Sequence, residues 1–88
     1  MTSKIIEYGL KKPGRNYDAV YEIIKSYPVR THITESTWFV QTSDTCVQIR
    51  DKIMKEIDFN DAVFVATLTG EAAWKNVICD SEYLKENL

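Results

Sequence analysis

An α+β domain built on an antiparallel four-stranded sheet is the fold class that this 88-residue sequence predicts. Three observations carry that prediction. Residues 31–42, THITESTWFVQT, read as two strands folded back on each other, with Thr34, Glu35 and Ser36 at the bend and the β-formers Thr37, Trp38, Phe39 and Val40 in the return strand. On either side of this hairpin lies a segment whose apolar residues recur at spacings of three and four, the mark of an amphipathic helix. Before the first helix and after the second stand short runs with apolar residues in both parities, as expected of strands with apolar surroundings on both faces.

The first of these runs, residues 4–10 (KIIEYGL), sets Ile5 and Ile6 on opposite sides and so belongs in the middle of the sheet. Lys11, Lys12, Pro13, Gly14 and Arg15 then break the pattern with a Pro-Gly turn, and Asn16 suits the N-cap of a helix over residues 17–26. Its apolar stripe is Tyr17, Val20, Tyr21 and Ile24, widened by Ile23 and Tyr27, and Pro28 ends it. After the hairpin, Ser43 or Asp44 caps a second helix that runs to Ile57 through Cys46, Ile49 and Ile53. Asp58, Phe59, Asn60 and Asp61 form a turn, and residues 63–69 (VFVATLT) are the last core strand, left through Gly70. The order is β-α-β-β-α-β, the split βαβ or ferredoxin-like arrangement, with both helices on one face of the sheet. Residues 74–79 (WKNVIC) add a short C-terminal strand, and a short helix capped by Asp80 or Ser81 follows.

Length and composition narrow the function classes. The chain reads as a single domain, residues 1–88, large enough to fold without metals or disulfides. Its 11 basic and 13 acidic side chains leave a formal charge of -2, so any attraction to nucleic acid must be local rather than spread over the chain. Cys46 and Cys79 match no metal or redox spacing and read as reduced thiols of a cytoplasmic protein. The longest apolar run, residues 62–66, is far short of a membrane span. No membrane partner is expected.

Two helices hide only one face of such a sheet. Trp38 and Val40 point one way and Phe39 the other, while Phe64, Ala66 and Leu68 oppose Val63 and Val65, so the uncovered face is itself apolar. Either the C-terminal tail or a second copy of the chain must shield it, and the patterning favours a homodimer. Phe39, Phe64 and Trp74 are the expected interface side chains, the indole because it buries a large area with one polar tip.

The motifs Tyr8-Gly9-Leu10-Lys11-Lys12-Pro13-Gly14-Arg15-Asn16-Tyr17, Ser36-Thr37-Trp38-Phe39-Val40 and Leu68-Thr69-Gly70-Glu71-Ala72-Ala73-Trp74 resemble those of the small bacterial SinR-like proteins of the CRISPR-associated protein 2 superfamily, in the same order over nearly the whole chain. The resemblance implies a ferredoxin-like homodimer that either cleaves nucleic acid with a divalent metal or binds it as a non-catalytic scaffold. VapD-type ribonuclease toxins are similar in fold. In that superfamily the first strand usually ends in a Tyr-Asp-Leu type triplet, whose aspartates meet across the dimer axis to hold the metal. Here the triplet is Tyr8-Gly9-Leu10. Glycine offers no side-chain carboxylate to a hard cation such as Mg²⁺, and Glu7 stands two positions back on the same face, about 7 Å away at strand rise.

Several residues are candidates for a site. Lys11, Lys12 and Arg15 precede the N-terminus of the first helix, where backbone N–H groups and positive charge can hold a phosphate, although a solvated turn reads the same way. Arg30 is a further basic candidate near the start of the hairpin. His32, the sole histidine, is of the residue type whose unperturbed pKa suits acid-base work, but no partner is visible, since Glu35 is close in sequence yet turned to the opposite parity. A structural or exposed histidine is the favoured reading, and Glu7 and Glu35 are the other catalytic candidates. Glu7, Glu35, Asp58 and Asp61 show no ligand spacing for a metal. Tyr17, Tyr21 and Tyr27 read as core or interface residues rather than base-stacking platforms, and Trp38 as a core anchor. The expectation is a non-catalytic interaction or nucleic-acid-associated homodimer without a cofactor, its partner RNA, DNA or another protein. The alternative is a metal-dependent or toxin-like endoribonuclease that would need Mg²⁺ and recruit Glu7, His32 or Glu35.

Overall fold

A computed structural model describes residues 1–11 and 17–88. Among these the elements run in the order β1 (Thr2–Gly9), α1 (Asp18–Lys25), β2 (Val29–Thr34), β3 (Thr37–Thr42), α2 (Cys46–Met54), β4 (Ala62–Thr67) and α3 (Ser81–Asn87). The strands form an antiparallel sheet of order β2-β3-β1-β4. β1 is internal, as the opposed Ile5 and Ile6 require, and its register sets Ile6 level with Trp38 on one side and Val65 on the other.

That register sorts the apolar residues onto two faces. Ile6, Tyr8, Trp38 and Val40 point toward α1 and α2, where they enclose Val20, Ile24, Ile49 and Ile53 together with Tyr17 and Tyr27. Each large side chain buried there stabilises the fold by about 1.5–3 kcal/mol. The helix ends differ from the expectation. Asn16 lies outside the described residues, and α1 has Tyr17 at its N-cap with no side-chain cap bond. α2 is capped not by Ser43 or Asp44 but by Thr45, whose hydroxyl accepts from Gln48 N–H while the Gln48 side chain accepts from Thr45 N–H. This reciprocal capping box satisfies two donors at once, which neither earlier residue does. α2 stops at Met54, and Ile57 packs on the core from the turn that follows.

The second face is shielded in part by the chain's own tail. Gly70, at φ +98°, makes a turn that L side chains adopt at a cost. Past it the chain returns across Ile5, Ile33, Phe39 and Leu68, bringing Trp74, Leu84 and Leu88 over them around an apolar cavity of about 110 Å³. Ser3 and Gln41, partners on that face, both donate to the Asn87 carbonyl at the end of α3. α3 is capped by Asp80 as expected. Residues 74–79 do not form the expected strand. Their tie to the sheet edge is one hydrogen bond, from Ile78 N–H to the Ile33 carbonyl at 2.9 Å. No helix among the described residues is long and apolar enough to cross a membrane.

Asp44 links the helices through side chains. Its Oδ2 accepts from the Lys52 ammonium at 2.6 Å and from the Tyr27 hydroxyl at 2.9 Å, and the same ammonium sits 5.5 Å from the Tyr27 ring centroid. The hydrogen bond from Lys52, then that from Tyr27, hold the Asp44 carboxyl below its ordinary value. A depressed carboxylate stabilises the fold above its unfolded-state pKa and stops doing so as pH falls through the folded-state value. Asp44→Asn is therefore expected to cost about 0.5–1 kcal/mol at neutral pH, the modest size reflecting the exposure of Lys52. Urea unfolding at about pH 7 and about pH 2.5 checks this: the difference between the two proteins should vanish in acid.

Candidate nucleic-acid interface

The hairpin and α1 together build a recess along the β2 edge. The turn at Glu35 and Ser36 sets Thr34 opposite Thr37, and an irregularity between His32 and Thr34 then sets His32, not Ile33, opposite Trp38. The two rings stack with centroids 4.1 Å apart and planes within 7°. Tyr8 and Tyr21 meet beside them at 6.1 Å, tilted by 57°. Tyr21 and Lys25, one helical turn apart on α1, complete the wall.

Hydrogen bonds fix the stack in place. Trp38 Nε1–H donates to the Tyr8 hydroxyl at 3.2 Å, and that hydroxyl donates to the Glu35 carbonyl at 3.1 Å. His32 Nε2–H donates to the same carbonyl at 3.0 Å. A carbonyl only accepts, so Nε2 carries a proton, and in the neutral ring Nδ1 is left as the acceptor. Burial pushes the Tyr8 phenol above its ordinary value, which keeps it a protonated donor. Tyr8, Tyr21, Lys25, His32, Glu35 and Trp38 border a concavity of about 280 Å³. A second, of about 510 Å³, shares Lys25 and Trp38 and continues past Arg30 and Thr31 to Asp80 and Tyr83.

The other candidates fall elsewhere. Glu7 lies on the opposite face of the sheet from His32, where its Oε1 accepts from the Thr37 hydroxyl at 2.8 Å. Glu35 meets His32 through its backbone and not its carboxylate. The trio proposed for endoribonuclease chemistry is therefore not assembled, since acid-base work needs its groups within hydrogen-bond reach of one another or of one substrate atom. Among the described residues no group of three or more His, Cys, Asp and Glu side chains comes together as a metal site. Lys12 and Arg15 lie outside the described residues. Lys11 is exposed, and its backbone N–H donates to Asp61 Oδ1 at 2.7 Å. Arg30 pairs with Val40, which pairs with Lys4, so it sits about 16 Å of strand length from the Gly9 end and forms no single patch with Lys11. Its guanidinium donates to the Tyr27 carbonyl at the end of α1.

Of the expected interface residues, Phe39 is enclosed within the single chain, which removes it from any surface a second copy could meet. Trp74 is half-buried, its indole N–H donating to Ser81 Oγ at 3.3 Å. Phe64 stays 64% exposed. Lys25 was not a sequence candidate, and Tyr21 and Trp38 read there as core. No family model matches the chain, and no curated protein or solved structure matches it significantly.

Proposed function

We propose that the chain is a ferredoxin-like homodimer similar to the SinR-like branch of the CRISPR-associated protein 2 superfamily, a cytoplasmic module that associates with nucleic acid without cleaving it. The strand order β2-β3-β1-β4, with α1 and α2 against one face, supports the ferredoxin-like reading. Phe64, exposed beyond the reach of the tail, supplies apolar surface for a second copy.

The observation that carries the non-catalytic reading lies at the end of β1. Gly9 brings no carboxylate there. Two acids that adjoin this end of the strand are already engaged by the protein: Glu7 by Thr37, and Asp61 by Lys11 N–H, Asp58 N–H and the Tyr17 hydroxyl. Sterics do not demand glycine, since a Cβ at position 9 meets Ala62 Cβ at 3.7 Å and Lys11 Cε at 3.9 Å, ordinary contacts. What the residue removes is a ligand.

Purified protein incubated with RNA and DNA in Mg²⁺ or Mn²⁺ is expected to leave both intact, to bind them more weakly as salt rises, and to scatter light as a dimer. Gly9→Asp should fold as the natural chain does, and any cation-dependent cleavage should arise in that version alone. Metal-dependent turnover by the natural sequence, lost in Glu7→Ala, would overturn this reading.

A further inference from the structure

We infer that the recess between α1 and β2 is a binding site for a single-stranded polynucleotide, with the outer face of His32 as the platform for an unstacked base. The inference rests on the nucleic-acid reading above and assigns it a place and a class of ligand. Trp38 is nearly buried beneath His32, so the stack turns an edge-strand imidazole into a braced aromatic surface. Bases of every kind present a π face to such a surface, which makes stacking tolerant of sequence. Nδ1 remains free to accept from a base N–H, and the Nε2–H bond to the Glu35 carbonyl fixes the ring plane.

The cations stand where a backbone would pass. Arg30 precedes His32 by two residues on one face of β2, about 7 Å at strand rise, the order of one step along an extended strand of nucleotides. Lys25 faces it from α1 and borders both concavities. Two acids also border the groove: Asp80, whose carboxylate caps α3 by accepting from Glu82 N–H at 3.0 Å, and Glu35, exposed at the hairpin turn. A duplex keeps its bases stacked inside and cannot offer one to a recess walled by Tyr21 and Trp38, so the ligand is single-stranded.

Fluorescence anisotropy with labelled eight-nucleotide RNA and DNA strands, and with a duplex of the same sequence, tests this at two salt concentrations. Single strands should bind better than the duplex and quench tryptophan emission. His32→Ala should weaken binding by about 5-fold or more, and His32→Phe, which keeps the π face, should stay within about 3-fold of the natural chain. Arg30→Gln should weaken all sequences alike and lower the salt slope by about one. Far-UV circular dichroism on each variant excludes unfolding as the cause. Salt-sensitive binding untouched by His32→Ala and Arg30→Gln, or lost in Lys11→Gln instead, overturns this site while leaving the nucleic-acid reading standing. Equal affinity for the duplex also overturns the site, and no salt-sensitive binding by any strand overturns both.

Discussion

Phe39→Ala is expected to cost about 3–5 kcal/mol of folding stability, a large share of the margin available to a chain of this size. The side chain is fully enclosed, yet it belongs to the face of the sheet away from α1 and α2. What encloses it is the tail, through Trp74, Leu84 and Leu88 around the cavity that Phe39 also lines. Truncation enlarges that void, and the tail has little freedom to settle into it because the Asn87 carbonyl is bound by both Ser3 and Gln41. Urea unfolding monitored by circular dichroism measures the loss. The more specific expectation is coupling: Leu84→Ala and Phe39→Ala together should cost less than their sum by about 0.5–3 kcal/mol, since each removes a wall of one cavity. A Phe39→Ala loss below about 1 kcal/mol would mean that the tail is not seated on this face in solution.

The same residue marks where the sequence was legible and where it was not. Alternation in residues 37–42 assigned Phe39 and Trp38 to opposite faces correctly, because strand parity is local and survives folding. What lay over the second face was a long-range matter. Leu84 and Trp74 are far from Phe39 in the chain, and nothing in their spacing distinguishes a tail that folds back from a patch left for a partner. The stack of His32 on Trp38 was hidden for a different reason. The structure turns at Glu35 and Ser36 with Thr34 opposite Thr37, and an irregularity at Ile33 restores the register in which His32 meets Trp38. A bend over Thr34, Glu35 and Ser36 leads to that same register, but register fixes which residues lie level and not which rings stack, so the histidine read as an isolated titratable group. Lys25 and Tyr21 were visible only as ordinary members of an amphipathic helix, and their common recess with His32 exists because α1 runs beside the β2 edge.

Asp61→Ala is expected to cost about 2–4 kcal/mol, more than a half-exposed turn aspartate ordinarily would, because the carboxylate serves as acceptor for three separate segments. Lys11 N–H reaches Oδ1 at 2.7 Å, Asp58 N–H reaches Oδ2 at 2.9 Å, and the Tyr17 hydroxyl lies 3.0 Å from Oδ2. These contacts tie Lys11, two residues beyond β1, the start of α1 and the turn before β4 to one side chain. In sequence Asp58 and Asp61 looked like a turn pair with a remote claim to metal, and the structure gives Asp61 the connecting role instead. Asp61→Asn separates charge and acceptor count from size. An amide keeps the shape but turns one oxygen into a donor, so an N–H of Lys11 or Asp58 must face another donor, and the expected loss stays close to that of alanine. Tyr17→Phe removes one bond and little volume, at about 1 kcal/mol. Urea midpoints for the three variants at neutral pH decide the matter. Were the asparagine variant as stable as the natural chain, Asp61 would be acting as a turn former alone, and the β1 end of the sheet would be held by something other than this carboxylate.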